Sequence, residues 1–592
     1  LHLAAQQGDF DQIKSLVTTG GVSADLVAPD NTRALHWAAI NNRIDICQFL
    51  IDSGCEIDPP GGDLDGTPLH WAAQAGHVYT VYFLIENGAD PLRKEKQGYN
   101  ALHLAVHSSN VLTVTYLLHQ GVPVNSVDSA GRTSLHWAAY QGDALSLDVL
   151  LRWGANVTMT DDTGFTALHW GVVRGNVACM RRLIEDGSIV TVRTSTGKNC
   201  ADIAQDMNNV HAYELALYQA GYTPSGSPKA TSLPPNVSRL LILFCPYLYL
   251  PLIILSITSL PIFLGIPVLI CLSFAFFFLT TKVLIPLHYY NFDPLELPLL
   301  CGIFSGTLFW VGVAFFTNII PEMFSSHTLL CLSFFLVYTG VLVTFLQSML
   351  ADPGFIDRPS SVKDQYETIR NLLDKHIYDS RHFCLTCFMR KPLRSKHCKF
   401  CKRCIARMDH HCPWIDNCVG VRNHRSFTVF VVLLWLGVIL FVSLVFQYVP
   451  MLLEDQPLEN TFGLTVWSCL QEVWLTALLV VQIHHICRNL TSNEASRIDT
   501  VLKPGKTYPR TGRFAKLVRL LGLDQFAATA RETAAHTFKH QNTEIMYDQG
   551  VKTNCMDFWR SHSHNKFSLV QDTNEGYLGG QVLDYSTLYE LP

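Results

Sequence analysis

The sequence predicts an all-α, multidomain protein with an N-terminal solenoid of helical repeats and a six-helix transmembrane domain. A small zinc-knotted, cysteine-rich domain lies between spans four and five. Three observations predict this fold: a Leu-His motif that recurs through the first 220 residues, long apolar runs after it, and seven cysteines crowded into residues 384–418. A chain of 592 residues has room for several domains. The net charge of −5 argues against a general nucleic-acid binder.

The N-terminal repeats occupy residues 1–220. Their Leu-His pairs begin at residues 1, 35, 69, 102, 135 and 168. The segment Thr67–Ala73 reads TPLHWAA, which is close to the ankyrin signature. We expect about seven ankyrin repeats, the first one truncated because the chain begins at Leu1 inside a repeat. Stacked repeats form a concave surface, so the array is predicted to bind partner proteins; a rigid spacer is the alternative.

The apolar runs follow a Pro/Ser/Gly-rich linker, which we place at residues 221–236. They lie near 240–258, 260–280, 298–318, 329–349, 427–447 and 462–483, so spans one to four fall within 237–350 and spans five and six within 427–484. The loop of residues 351–426 is strongly basic, whereas the connections after spans one, three and five lack Lys and Arg. The excess of positive charge on cytosolic loops then places the N-terminus, this loop and the tail of residues 485–592 in the cytosol.

The cysteine-rich loop contains one ligand spacing twice. The pattern C-x2-C-x9-H-x6-C fits Cys384, Cys387, His397 and Cys404, and fits again for Cys398, Cys401, His411 and Cys418. Three thiolates and one imidazole complete the shell of a structural zinc ion, so two such ions are predicted. A bridged cluster that uses all seven cysteines is the alternative.

One cysteine, Cys412, is left over beside His410 and Asp409. A thiol, an imidazole and a carboxylate are the parts of an activated nucleophile, its base and the group that orients the base. Nearby cations such as Arg407 and Arg422 would favour the thiolate. The alternative is a surface thiol beside an ordinary exposed histidine.

The position of Cys412 indicates a reaction class. It lies between the fourth and fifth spans and should face the cytosolic surface of the membrane. Long-chain acyl-coenzyme A suits this place, because its chain can enter the spans while its phosphates meet Arg and Lys. Attack on the thioester would give acyl-Cys412, and a protein cysteine could then accept the acyl group.

The residues around Cys412 also resemble a known family. Asp409-His410-His411-Cys412, with Pro413-Trp414, Asn417-Cys418-Val419-Gly420, Asn423 and Phe427, closely resembles the DHHC family of protein S-acyltransferases, or palmitoyltransferases. The resemblance implies palmitoyl-CoA as the acyl donor. Three further segments look like motifs of that family: Asp352-Pro353-Gly354 (DPG), Thr491-Ser492-Asn493-Glu494 (TTxE, with Ser for the second Thr), and the tail around Asn554.

Ankyrin repeats ahead of six spans resemble the huntingtin-interacting subgroup of these enzymes. That resemblance implies a location in the Golgi and other endomembranes, and client proteins whose extended peptides bind a groove of the repeats. It also implies that Asn41 and Trp71 contact those peptides.

Two other classes of protein share parts of this pattern. TRP-type channels combine ankyrin repeats with six spans, but their pore helix lies between spans five and six, where this chain has a short acidic connection. A catalytically silent, membrane-anchored adaptor would leave Cys412 and His410 without a role.

In the tail, residues 510–523 read as a basic amphipathic helix that could lie on an anionic membrane surface or pack on the protein.

Overall fold

The computed structural model describes residues 1–228, 234–258, 260, 262–279, 297–448, 459–495, 547–560 and 568–590. The helix predicted at 510–523 lies outside these residues. The chain forms two compact units, one of residues 1–230 and 358–390 and the other of residues 231–357 and 391–592. They are described in turn.

The first unit contains the repeats. Between residues 1 and 228 seven helix pairs follow one another, which confirms the predicted ankyrin solenoid. The pairs are His2–Gln7 and Phe10–Thr18, Ala34–Ile40 and Ile44–Asp52, Pro68–Gln74 and Val78–Glu86, Ala101–His107 and Val111–His119, Ser134–Gln141 and Ala144–Arg152, Ala167–Arg174 and Val177–Glu185, and Cys200–Asp206 and Val210–Gln219.

The recurring Leu-His pair has a structural cause. In the third repeat Thr67 caps the first helix, Pro68 occupies the first turn and Leu69 is fully buried. The Nδ1 atom of His70 lies 2.8 Å from Thr67 Oγ1, and its Nε2 lies 3.2 Å from the carbonyl oxygen of Tyr99 in the next repeat. The histidine therefore caps its own helix and joins it to the following repeat, which is why the motif recurs once per repeat.

The first unit also includes a segment that follows the fourth span in sequence. The helix Val362–Asp374 begins at a capping box of Ser361 and Asp364. Ile369, Leu372 and Leu373 from this helix are buried in the same core as the repeats. Arg370 forms an ion pair with Glu86 at 2.9 Å. We did not predict this packing, although the capping box and the i, i+3, i+4 apolar spacing were readable signals.

The second unit contains the apolar helices. Within the described residues, five are long and apolar enough to cross a membrane: Asn236–Ser256, Leu299–Met323, Thr328–Leu350, His424–Tyr448 and Gly463–Cys487. A further apolar helix, Ile262–Phe278, has 17 residues. These six helices lie where the six spans were predicted. Leu299–Met323 includes a π-helical turn at Phe315–Ile319.

Short antiparallel hairpins carry the predicted metal ligands. Strands β1 (Phe383–Cys384) and β2 (Met389–Arg390) pair in the first unit. In the second unit β3 (Lys396–Cys398) pairs with β4 (Arg403–Ile405), and β5 (His410–Cys412) pairs with β6 (Asn417–Val419). The tail adds the helix Val551–Trp559 and the hairpin of β7 (Glu575–Leu578) and β8 (Gln581–Asp584).

Candidate active site

The hairpin β5–β6 places the predicted metal ligands on one face, and His410 and Cys412 on the other. His411 lies directly opposite Cys418 across the hairpin. Because side chains alternate along a strand, His410 and Cys412 point to the face opposite His411. One three-residue strand therefore presents a predicted metal ligand on one side, and an imidazole and a thiol on the other.

The second predicted ligand set comes together on the ligand face. The ligand atoms of Cys398, Cys401, His411 and Cys418 all lie within 4.8 Å of one another. The Sγ atoms of Cys401 and Cys418 are 3.5 Å apart, and Cys418 Sγ lies 3.4 Å from His411 Nδ1. A tetrahedron of ligands about 2.3 Å from zinc has edges of about 3.8 Å, so this set fits zinc.

The first predicted ligand set is divided between the units. Cys384 and Cys387 belong to the hairpin β1–β2 of the first unit, where both are buried. In the second unit His397 lies opposite Cys404 across β3–β4, and its Nδ1 is 3.9 Å from Cys404 Sγ. The pair of His397 and Cys404 thus repeats the arrangement of His411 and Cys418. The complete set of four ligands stays a prediction from spacing.

The opposite face of β5 holds the predicted nucleophile and its base. His410 Nδ1 lies 2.6 Å from a carboxylate oxygen of Asp409, which is 1% exposed. The His410 ring packs edge-on against Phe427 at 5.5 Å. Cys412 is buried in an apolar cluster that includes Ile415 and Leu475. The structure thus orients the imidazole and shields the thiol from water.

The charge state of this pair is set by its neighbours. Burial lowers the pKa of His410, but hydrogen bonds with Asp409 and with Cys412 outweigh it and raise that pKa from 6.5 to about 10. Burial raises the pKa of Asp409, yet its bond with His410 and nearby positive charge hold the pKa well below its usual range. Near neutral pH, Asp409 is therefore a carboxylate and His410 an imidazolium.

Asp409 has a second anchor that the sequence analysis did not assign. Its carboxylate accepts hydrogen bonds from the backbone N–H of Ser492 at 2.6 Å and from the Ser492 hydroxyl at 3.0 Å. The backbone N–H of Asn493 donates to the Asp409 carbonyl oxygen at 3.1 Å. In the sequence, Ser492 stands out only as a substitution within the TTxE-like motif. The structure shows that its hydroxyl holds the carboxylate that orients His410.

Glu494 of the TTxE-like segment holds Arg394, two residues before the start of hairpin β3–β4. Glu494 accepts two hydrogen bonds from the fully buried guanidinium of Arg394, at 2.7 and 2.8 Å. A further bond of 2.9 Å runs from the backbone N–H of Thr491 to Glu494. Bidentate pairing of this kind fixes orientation as well as position.

The two other predicted motifs make local contacts with the ends of the spans. Asn554 donates to the carbonyl oxygen of Cys487 at 2.8 Å, where the last span ends. Asp352 accepts from the N–H of Gly354 at 2.8 Å and pairs with Arg422 at 2.8 Å. Gly354 has φ +104°, and a Cβ there would lie 2.8 Å from Val421. This turn therefore requires glycine.

The cations expected near Cys412 have other partners. Arg422 is bonded to Asp352 and, at 2.9 Å, to Asn574. Arg407 donates to Asn489 at 3.1 Å. The side chains of Arg407 and Arg422 therefore have structural contacts. The group in β5 that bonds to the Cys412 thiol is His410.

Comparison with known proteins agrees with this geometry. Residues 377–498 match the DHHC palmitoyltransferase family, and residues 1–95, 89–161 and 135–224 match ankyrin repeats. The chain is 47% identical over 629 residues to palmitoyltransferase AKR1 of Yarrowia lipolytica, with 100% of this chain and 89% of the relative covered. It is 39% identical over 653 residues to palmitoyltransferase akr1 of Emericella nidulans, with 99% and 88% covered. The chain belongs to the DHHC palmitoyltransferase family.

This DHHC palmitoyltransferase has an apolar cavity among its spans, which the sequence could not locate. Its walls come from four long helices and from Trp414, which stacks on Trp474 with ring centroids 5.5 Å apart. Two polar groups of the walls pair with each other: Trp467 Nε1 donates to Thr307 Oγ1 at 3.2 Å. Trp414 and Trp474 also pack on the cluster that buries Cys412. The cavity and the thiol therefore share one apolar environment.

The predicted peptide-binding residues of the enzyme lie on neighbouring repeats of the first unit. Asn41 follows the helix Ala34–Ile40, and its side chain donates to the carbonyl oxygen of Trp37 at 2.8 Å. The rings of Trp37 and Trp71 meet edge to face at 5.4 Å. Cβ atoms placed on Gly62 and Gly66 would lie 3.2–3.3 Å from the Trp71 ring, so the loop between them covers it closely.

Proposed function

We propose that the enzyme transfers a long-chain acyl group from acyl-coenzyme A to a cysteine of a client protein through an acyl-Cys412 intermediate. The observation that carries this mechanism is the arrangement on β5, where His410 is bonded to Asp409 and faces the buried thiol. An adaptor would not need this arrangement.

In the first step, the Cys412 thiolate attacks the carbonyl carbon of the thioester. The new carbon–sulfur bond forms as the bond to the coenzyme A sulfur breaks, and the electron pair leaves with that sulfur. His410, held as the imidazolium by Asp409, gives its proton to the departing thiolate. This leaves acyl-Cys412 and a neutral imidazole.

In the second step, a client thiol enters in place of coenzyme A. Neutral His410 takes the proton of that thiol, and the resulting thiolate attacks the acyl carbon. Cys412 leaves as the thiolate and again faces an imidazolium, so the resting pair is restored. Asp409 and Ser492 act by holding His410 in position throughout.

The apolar cavity is suited to the acyl chain. Its lining includes Trp414 from the cysteine-rich loop and the apolar side chains of Phe334, Phe441 and Trp467 from the spans. A saturated chain gains burial there without displacing a polar partner. Palmitoyl-CoA is the donor we infer.

Zinc has a structural role in this proposal. Each of the two predicted sets offers four protein ligands, which leaves no position for a reactive water. The set of Cys398, Cys401, His411 and Cys418 would fix β5 from its ligand face. The set of Cys384, Cys387, His397 and Cys404 has the same residue types and spacing. Two zinc ions would thus take the place of a hydrophobic core in this loop.

The orientation in the membrane and the clients are also proposals. The basic loop of residues 351–426, the repeats and the tail would face the cytosol, in the Golgi and other endomembranes. Asn41 and Trp71 would hold extended peptides of clients and so raise their concentration near Cys412.

The deciding experiment is autoacylation. Purified enzyme in detergent is given alkyne-tagged palmitoyl-CoA beside Cys412→Ser and Cys469→Ser, the latter an exposed thiol of the last span. We expect a hydroxylamine-labile label on the wild type and on Cys469→Ser, and none on Cys412→Ser with zinc retained. A folded, zinc-replete wild type that takes no label would instead support the adaptor.

A further inference from the structure

The repeats carry a second aromatic surface, three repeats along from Asn41 and Trp71. Arg132, His136, Trp137, Tyr140 and Trp170 line a cleft, here called the aromatic cleft. Tyr140 is 40% exposed and its ring meets Trp170 edge to face at 5.3 Å. The rings are therefore open to solvent on one side and supported on the other.

The repeat pattern relates this cleft to the proposed client groove. Successive repeats place Trp37, Trp71, Leu104, Trp137 and Trp170 directly after their Leu-His pairs. Asn41 lies four residues after Trp37, and Gln141 lies four residues after Trp137. An amide followed by a tryptophan on the next repeat thus occurs twice, as Asn41 with Trp71 and as Gln141 with Trp170.

Packing of the repeats does not by itself require these tryptophans. Leu104 occupies the same position and is 8% exposed, so an aliphatic side chain fills it well. Trp137 and Trp170 stay half-buried, and each is held by a carboxylate of its own repeat. The indole N–H of Trp137 donates to Asp128 at 3.1 Å, and that of Trp170 donates to Asp161 at 3.1 Å.

These bonds decide what the cleft can hold. Because both indole N–H groups already have acceptors, the rings present apolar faces rather than donors. The one cation of the cleft, Arg132, is paired with Asp128 at 3.0 Å and lies over the Trp137 ring at 4.3 Å. Because Asp128 already neutralises Arg132, the lining offers little attraction to a charged ligand. An uncharged apolar side chain fits the remaining aromatic surface.

We propose that the aromatic cleft is a second peptide subsite, in which an uncharged apolar side chain of an extended client segment packs against the exposed surface of Tyr140 and Trp170. The proposal rests on the proposed client-binding role of the repeats and extends it along the array. Rings that are anchored before binding lose little freedom on binding, which favours even a short segment.

The test uses the full-length enzyme in detergent and a phage-displayed library of random 12-residue peptides. Selection is run on the wild type, on Asn41→Ala/Trp71→Leu, and on Trp170→Leu. The last variant introduces the residue that the fourth repeat has at the equivalent position, Leu104. We expect a class of peptides that is enriched on the wild type and on Asn41→Ala/Trp71→Leu but loses at least tenfold enrichment on Trp170→Leu. Its shared motif should be apolar and uncharged.

Synthetic peptides of that class are then titrated by fluorescence anisotropy. We expect binding to weaken at least tenfold for Trp170→Leu and for Tyr140→Ser, whose exposed ring can be removed without opening the core. Leu145→Ser, an exposed change on the second helix of the same repeat, should bind as the wild type does.

The outcomes are distinguishable. If every selected peptide depends on Asn41 and Trp71 and none on Trp170, the second subsite is wrong and the first groove stands. Peptides that depend on Trp170 but share a charged motif would overturn the inferred ligand. If no peptide depends on either pair, both peptide sites are wrong, while autoacylation still tests the enzyme.

Discussion

The hairpins β3–β4 and β5–β6 share one ligand spacing and one register, yet we assign catalysis to only one of them. His397 and His411 each lie opposite a cysteine, and each is followed by another cysteine. Cys398 turns to the ligand set of the following hairpin, whereas Cys412 turns to the apolar cluster beside the spans. On this assignment, the same residue at the same position would be a metal ligand in one hairpin and the nucleophile in the other.

The surroundings of each hairpin explain this difference. Position 396 is an exposed lysine in β3, and the equivalent position 410 is a histidine held by a buried carboxylate. Position 403 in β4 is a half-exposed arginine, and its equivalent Asn417 donates to three carbonyl oxygens at the end of the fourth span. The hairpin to which we assign catalysis is thus the one that meets the end of the fourth span and lies beside the carboxylate held by Ser492.

The strongest test of this comparison exchanges the two equivalent cysteines for serine. Cys412→Ser should lower autoacylation by at least about 1,000-fold, because it removes the nucleophile, and should keep the zinc content of the wild type. Cys398→Ser should lose bound zinc, because it removes a ligand. Zinc is measured by mass spectrometry on purified protein. Equal zinc loss in both variants would favour the cluster that uses all seven cysteines.

The next largest effect is expected at the residue two positions before each of these cysteines, His410 in β5 and Lys396 in β3. His410→Gln should slow autoacylation by about 10²- to 10⁴-fold, the range for loss of a positioned acid–base group. Lys396→Gln, at the equivalent place in β3, removes one bond to the side chain of Asn493 and keeps the backbone bond from Asn493 to Asp409, so it should change the rate by no more than about twofold. Rates come from single-turnover labelling with palmitoyl-CoA. Similar losses in both variants would show that the two hairpins matter only for folding.

A smaller effect, on stability, is expected where β6 meets the fourth span. Asn417→Ala should lower the free energy of unfolding by about 2–3 kcal/mol, because it leaves buried carbonyl groups without their donor. Arg403→Ala should cost less than about 1 kcal/mol, because its ion pair with Asp357 is largely exposed. Both losses of unfolding free energy are measured by following zinc release during denaturant titration. A larger loss for Arg403→Ala than for Asn417→Ala would contradict our account of what covers each hairpin.

The smallest effect is expected at Ser492. Ser492→Ala removes the hydroxyl bond to Asp409 and keeps the backbone N–H bond, so autoacylation should slow by about two- to tenfold. Ser492→Thr retains a hydroxyl and restores the TTxE sequence, so it should keep the wild-type rate. If the alanine variant is unaffected, the backbone N–H alone holds Asp409.

Much of the fold could be predicted because its signals are local. The Leu-His pairs marked the repeats, since each histidine caps its own helix and reaches only the next repeat. The apolar runs marked the spans by length and composition alone. The second ligand set could also be read from spacing, because a short hairpin brings residues seven positions apart to opposite places in adjacent strands.

The parts that could not be predicted depend on residues far apart in sequence. Ser492 lies 83 residues from Asp409, and Glu494 lies 100 residues from Arg394. The packing of Val362–Asp374 on the repeats was also missed, since an amphipathic helix does not reveal which surface it covers. The domain boundaries stay predictions, and the roles of individual site residues are predictions that the proposed variants can test.

By itself, then, the sequence determined the repeats, the spans, the metal spacing and the candidate nucleophile, because each depends on neighbours within a few turns of chain. The tertiary structure decided which face of β5 receives Cys412, which hydroxyl holds Asp409, and which helices enclose the apolar cavity. The physical reason is that a charge or a thiol acquires its chemistry from the atoms packed around it, and those atoms come from segments that only folding brings together.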